Sequence, residues 1–468
     1  MSVGISSRRG WLQLLALLLV VWAPLAAACG EDGGDPAPPA AAPTSAATAP
    51  AISPTAGTPS DRRAPTQLPR RTPIAIDYEI VDPAFDALPG ARAIYGEHGG
   101  AGYQIEVPDD WNGDVVYFAH GFRGNPPELT VQAPPIRRHL IERGYAWAAS
   151  SYSANGYEPG IGARDTVALR AVVREQAGEP RREYIYGQSM GGNVATVALE
   201  QYPDAFDGAV SECGVLSGND IFDYFLSWGA LASYFSGVPL YDATVNANEI
   251  GTLLAGEVVP ALGRPTEPKP AGAAFANVIM HLTGGPRPFF GAGFTDNYNL
   301  NFAILVNAVG APGRANAAAQ NVDTTYRIDA GFGVDSAQLN REVARVQADW
   351  AAVEPEAHPE FADMTGEISV PLLAIHNTGD LFVPISIAQA YGRAVDAAGN
   401  GELLVQRAIR RAGHCDFTEA ERIAAFDDLV RWVETGARPA GDDLTGSLEE
   451  AGLAFTLPLE PDDPSLAR

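Results

Sequence analysis

Residues 183–192 read EYIYGQSMGG: an apolar run ends in Gly187, a serine follows, and Gly191 and Gly192 come directly after. The run, rich in Tyr and Ile, reads as a strand. The next stretch, GGNVATVALEQYP (191–203), reads as a helix stopped near Pro203. A strand therefore becomes a helix around Ser189. That turn forces the serine into a strained backbone, and the flanking glycines, lacking a Cβ, let strand and helix approach closely. The hydroxyl is left at the C-terminal edge of a sheet, above a helix N-terminus. Backbone N–H groups and the positive end of the helix dipole suit an oxyanion there.

The chain supplies a sheet for this turn. GYQIEV (102–107), DVVYFAHG (114–121), YAWAASSYS (145–153), REYIYG (182–187) and FDGAVSECG (206–214) read as strands. IRRHLIERG (136–144) and ARDTVALRAVVREQAG (163–178) read as helices, the second with Val167, Leu169, Val172 and Val173 facing inward. Alternation with short connections implies an α/β fold, a mostly parallel, doubly wound sheet built from right-handed βαβ units. The core therefore starts at residues 76–213. Residues 214–365, with many Gly, Pro, Ala and Asn and with aromatic clusters such as FDYFLSWGALASYF and PFFGAGF, read as a large inserted cap. The core resumes over 366–468 with strands VPLLAIHN (370–377) and ELLVQRAI (402–409), helix FTEAERIAAFDDLVRWVETG (417–436) and a tail.

The N-terminus reads as an export segment. Arg8 and Arg9 precede WLQLLALLLVVWAPLAAA, and small residues lead to Cys29, so residues 1–28 are a signal peptide. The stretch LAAACG resembles a bacterial lipoprotein lipobox, which implies lipidation of Cys29. Its leucine lies four residues before the cysteine, where three is usual, so secretion after cleavage at Ala28 stays open. Residues 29–75, dominated by Pro, Ala, Thr and Ser, read as a disordered spacer with too little apolar surface to offset its ordering entropy. The protein is thus expected at the outer face of the cell membrane or secreted, touching membrane only through that anchor. A net charge of -26 and a single lysine, Lys269, exclude nucleic acid and anionic lipid surfaces as partners.

Ser189 in its strand–turn–helix setting, G-x-S-x-G, resembles the nucleophile elbow of the α/β-hydrolase superfamily, over most of residues 100–213 and 366–436. The resemblance implies an α/β-hydrolase fold and a triad in the chain order serine, acid, histidine. Asp380, in HNTGDLFVP (376–384) after a strand, is the expected acid, and Asp220 is its rival. Of seven histidines only His414 follows Asp380, so it is the expected base. A Ser–Lys dyad would have to use Lys269, between prolines in the cap and far from any strand end. Met190 N–H is one expected oxyanion donor. HGFRGN resembles the HGF turn of feruloyl and related esterases, which implies Phe122 N–H as the other, with Gly121 shaping the turn. His120 is expected to be a packed structural histidine.

With Cys29 set aside, Cys213 and Cys415 remain, and an even pair in an exported chain suggests a disulfide. Two independent buried thiols are the alternative. The His-Cys pair at 414–415 resembles the tannase and feruloyl-esterase group, where a disulfide ties the serine and histidine loops. That implies a Cys213–Cys415 bridge, although Gln188 stands where that group has cysteine. The resulting expectation is an exported serine hydrolase that cleaves carboxylic esters of small-molecule or oligomeric substrates through an acyl-enzyme, without metal or cofactor. The alternatives are a serine peptidase of the prolyl-oligopeptidase type without a propeller, and a non-catalytic relative. The cap aromatics suggest an apolar or aromatic substrate group, or simply a cap core.

Overall fold

The structure is a computed structural model that describes residues 64–67, 76–241, 249–310, 318–349 and 364–459. The expected signal peptide, Cys29 and all of the expected spacer except residues 64–67 lie outside the described residues. A sheet of eight strands crosses the protein: β1 (Ala91–His98), β2 (Ala101–Pro108), β3 (Asp114–Ala119), β4 (Ala146–Ser150), β5 (Arg182–Gln188), β6 (Gly208–Glu212), β7 (Leu372–Asn377) and β8 (Leu404–Ile409). Their spatial order is β1-β2-β4-β3-β5-β6-β7-β8. The β1–β2 and β2–β4 pairs are antiparallel. The other five pairs are parallel, as the strand–helix alternation requires.

The helices that position the site are α1 (Arg137–Glu142), α2 (Pro159–Gln176), α3 (Met190–Gln201), α4 (Asp220–Ser236), α5 (Pro270–Leu282), α6 (Phe290–Gly310), α7 (Ile385–Ala397) and α8 (Glu419–Thr435). Central strands are buried on both faces, hence their continuous apolar runs. Val115, Tyr117, Ala119 and Ile185 pack with residues of α2 and α3. Their neighbours Val116, Phe118, Tyr184 and Tyr186 pack on the other face, with α1 and α8. A capping box of Thr418 and Glu421 starts α8, and Gly436, with φ of 74°, ends it.

Four elements depart from the sequence reading. Strand β1 was not anticipated, because it is an outer strand whose residues are all half-buried or exposed and carry no apolar run. Helix α2 starts at Pro159, four residues early, with proline in its first turn, and Val167 is only half-buried beside the buried Leu169, Val172 and Val173. Helix α7, between β7 and β8, was also missed. Thr66 and Gln67 fall within the expected spacer, yet they pair in parallel with Val346 and Gln347. A two-residue bridge made by backbone groups leaves no periodicity to read.

Between β6 and β7 the described residues are mainly helical. Trp228 of α4 packs edge-on to Phe275 of α5, with ring centroids 5.1 Å apart, and lies 5.6 Å from Phe294 of α6. All three are buried. The aromatic run of α4 thus forms the core of this segment.

Candidate active site

The elbow at Ser189 is built by sterics. Ser189 has φ of 56° and ψ of −120°, a backbone that an L-residue holds only when its surroundings enforce it. A Cβ on Gly187 would lie 2.1 Å from the Gly191 carbonyl oxygen, and one on Gly191 would lie 1.9 Å from that of Ala119. Only glycine fits either position. Ser189 N–H donates to the Glu212 carbonyl (2.9 Å), which ties the turn to the end of β6.

Two loops from the same sheet edge complete the site. Asp380 follows β7 and His414 follows β8. His414 Nδ1 lies 2.6 Å from Asp380 Oδ2. A carboxylate only accepts, so Nδ1 carries the proton and Nε2 is left to accept. Ser189 Oγ lies 2.9 Å from that Nε2, so its hydroxyl can donate there. The other Asp380 oxygen, Oδ1, accepts from the backbone N–H groups of Phe382 (2.9 Å) and Val383 (3.0 Å). Asp380 is fully buried, whereas the His414 side chain is 20% exposed, which leaves the histidine open to an incoming ligand. The Phe382 ring stands edge-on to His414 at 4.9 Å.

The rival residues take other partners. The Asp220 carboxylate, in the first turn of α4, accepts from Ser217 Oγ at 2.8 Å. His376 Nε2–H donates to the Val383 carbonyl (2.8 Å), and burial draws its pKa down. Burial also draws His120 down to about 4. Its ring stacks on Tyr152 at 4.0 Å, with Nδ1 facing the Gly121 carbonyl (2.8 Å) and Nε2 the Ser151 carbonyl (3.2 Å), to one of which the neutral ring donates, as a packed structural histidine would. Lys269 immediately precedes α5, outside this cluster.

The model of the prolyl oligopeptidase family matches residues 141–228, which contain the elbow. That stretch is similar to the family, and the eight-stranded sheet with its elbow is an α/β-hydrolase fold. The o-phthalyl amidase of Xanthobacter agilis is 23% identical to this chain over 414 residues, spanning 75% of this chain and 89% of that protein. Among solved structures, feruloyl esterase B from Aspergillus oryzae superposes with a TM-score of 0.47 at 15% identity, over 80% of this chain and 86% of that one. Acylaminoacyl peptidase from Pyrococcus horikoshii gives a TM-score of 0.38 at 13% identity, over 76% and 44%.

In this chain the HGF turn runs beside the serine. A Cβ on Gly121 would come within 3.1 Å of Ser189 Cβ, so the backbone leading to Phe122 passes against the nucleophile. Met190 opens α3, and the first N–H groups of a helix have no partner within the helix.

A disulfide joins Cys213 to Cys415 across 202 residues, with Cα atoms 5.2 Å apart. It links the end of β6 to the residue after His414. Ligand atoms of Cys213, His414 and Cys415 lie within 4.8 Å of one another. The two sulfurs are bonded to each other, so they offer no thiolates to a metal.

A second tie escaped the sequence reading. Glu212 is fully buried and accepts from Gln188 Nε2 (3.1 Å), from Tyr186 O–H and from Arg422 Nε. Arg422 also donates to the carbonyls of Cys415 (3.0 Å) and Phe417 (2.5 Å). A buried glutamate beside the elbow and an arginine in α8 thus hold the histidine loop independently of the disulfide. The glutamate in SECG offered the one sequence signal, a charge inside a strand otherwise buried on both faces.

Proposed function

We propose that the protein cleaves carboxylic esters through an acyl-enzyme on Ser189. The observation that carries this reading is the continuous hydrogen-bonded chain from Ser189 Oγ through His414 to the buried Asp380. His414 takes the serine proton as Oγ attacks the ester carbonyl and returns it to the leaving alcohol; water then repeats the cycle to release the acid. Asp380 keeps Nδ1 protonated and stabilises the imidazolium as it forms. The N–H groups of Met190 and Phe122 receive the developing oxyanion. Phe122 beside the elbow is 46% exposed, and Phe289, whose carbonyl abuts the acid loop, is 47% exposed. Two wet aromatic rings near the site favour an apolar or aromatic acyl or alcohol group.

Amide cleavage is the second reading. It is supported by the likeness to an amidase over three-quarters of the chain. Matched p-nitrophenyl esters and p-nitroanilides test both: the ester reading expects ester turnover with anilides slower by orders of magnitude. Anilide rates equal to or above ester rates would favour the amidase. No turnover of either by folded protein would overturn both readings and favour a non-catalytic relative.

We also propose export, with lipidation at Cys29 or secretion, on the strength of the N-terminal pattern. Palmitate labelling that disappears on Cys29→Ser checks the anchor, and unlabelled protein cut after Ala28 would exclude it.

A further inference from the structure

The Asp380 carboxylate has no freedom of its own. One oxygen is held by the amides of Phe382 and Val383 and the other faces His414. Its aim is therefore set by the loop 378–383, and that loop is gripped from outside the sheet. Tyr224 O–H, from α4, donates to the Leu381 carbonyl at 2.7 Å. Asn301 Nδ2, from α6, donates to the same carbonyl (2.9 Å) and to Tyr224 Oη (2.9 Å). Arg287, just before α6, donates through Nε to the Thr378 carbonyl at 2.6 Å. Its remaining nitrogens donate to the Gly285 carbonyl (2.9 Å) and Thr283 Oγ1 (3.0 Å), so the guanidinium is fixed in place.

Backbone contact reinforces the grip. A Cβ on Gly293, in the first turn of α6, would lie 1.7 Å from the Gly379 carbonyl oxygen. The helix thus rests on the acid loop with no side chain between them. Tyr224 and Asn301 are buried. Asn301 Oδ1 has no partner, a cost that makes sense if the residue serves through its NH2 group. Burial draws the Arg287 pKa down to about 10, which leaves it a cation at neutral pH.

We propose that the inserted segment acts on the reaction by gripping the acid loop. Tyr224, Asn301 and Arg287 hold the Leu381 and Thr378 carbonyls, and so hold Asp380 against His414. They are positioning residues, and the segment is a fixed buttress of the site. The inference rests on the triad reading above.

The test uses the full chain and a p-nitrophenyl ester. Tyr224→Phe, Asn301→Leu and their combination remove the donors to Leu381 while keeping the ring or the side-chain bulk. Tyr298→Phe is the control, since it removes a tyrosine–carbonyl bond of the same kind, to Gly263 at 3.1 Å, within the inserted segment. The double variant is expected to lose at least about tenfold in kcat with KM within about threefold, because a displaced reacting group costs rate more than binding. The control keeps the parent kcat. In an Asp380→Asn background the same two substitutions should change kcat by less than about twofold, since an acid already lost cannot be misplaced.

A parent-like kcat in the double variant, with Asp380→Asn inactive, overturns the grip alone. Losses of equal size in both backgrounds also overturn it, since they report general destabilisation. An Asp380→Asn variant as active as the parent overturns the triad reading and the grip with it. If the double variant does not fold, Arg287→Lys takes its place, with the same expectations in the two backgrounds.

Discussion

Removing the Cys213–Cys415 bridge gives the sharpest energetic test. The perturbation is Cys213→Ala with Cys415→Ala. Both cysteines have positive φ, 44° and 54°, so alanine, unlike glycine, leaves the backbone cost unchanged. The bridge closes a loop of 202 residues. Chain entropy for a loop of that length gives about 5 kcal/mol of stabilisation, acting through the unfolded state. For a folded unit of about 400 residues, an unfolding entropy of about 2.1 cal/mol/K per residue converts this into a fall in Tm of about 6 °C. Differential scanning calorimetry at one scan rate reads it, after mass spectrometry has shown the parent peptide pair two hydrogens lighter than free thiols.

Activity should fall less than stability. Arg422 still ties Glu212 to the Cys415 and Phe417 carbonyls. Ester turnover at 25 °C should drop a few-fold at most for the double alanine variant, and collapse when Arg422→Ala is added. A Tm within about 1 °C of the parent, or inactivation by bridge removal alone, would refute the reasoning.

Four further outcomes follow from the site. Ser189→Ala and His414→Ala should each abolish ester turnover in a folded protein, measured by burst and steady-state release of p-nitrophenol; activity within tenfold of the parent would refute their roles. Asp380→Asn should lower kcat by about 10⁴ through loss of tautomer control, far more than Asp220→Asn, and the reverse ranking would move the acid to Asp220. Gly191→Ala should cost about 3 kcal/mol or more, or leave insoluble protein, because its Cβ meets backbone at 1.9 Å; a parent-like urea midpoint would contradict the close approach. Buried His120, at about 4, binds its proton more weakly folded than unfolded, so stability is full above about pH 6.5 and lost as pH falls toward 4, by about 2 kcal/mol at pH 5. Urea midpoints at pH 7.5 and 5.0 should differ accordingly, and by less in His120→Gln.

By itself, the sequence determined what local chemistry and chain order can encode. Apolar runs of Val, Tyr and Ile located seven of the eight strands, because residues buried on both faces leave an unbroken signal. Three glycines around Ser189 announced the elbow, because only a missing Cβ allows strand and helix to approach so closely. Counting histidines after Asp380 singled out His414. The outer strand β1 stayed hidden, because half-wet residues carry no run, and α7 was passed over between two stronger strands.

Only the tertiary structure decided which carboxylate faces the histidine. Asp220 and Asp380 both follow strands, and their difference lies in loop paths set by distant packing. Glu212 with Arg422, and Tyr224 with Asn301 and Arg287, were invisible for the same reason. Arg422 lies 210 residues from Glu212, and Tyr224 lies 157 residues from Leu381. A hydrogen bond across such a separation leaves no period or motif in the chain. It exists because the sheet brings the ends of β6, β7 and β8 to one edge, where the inserted helices lie against it.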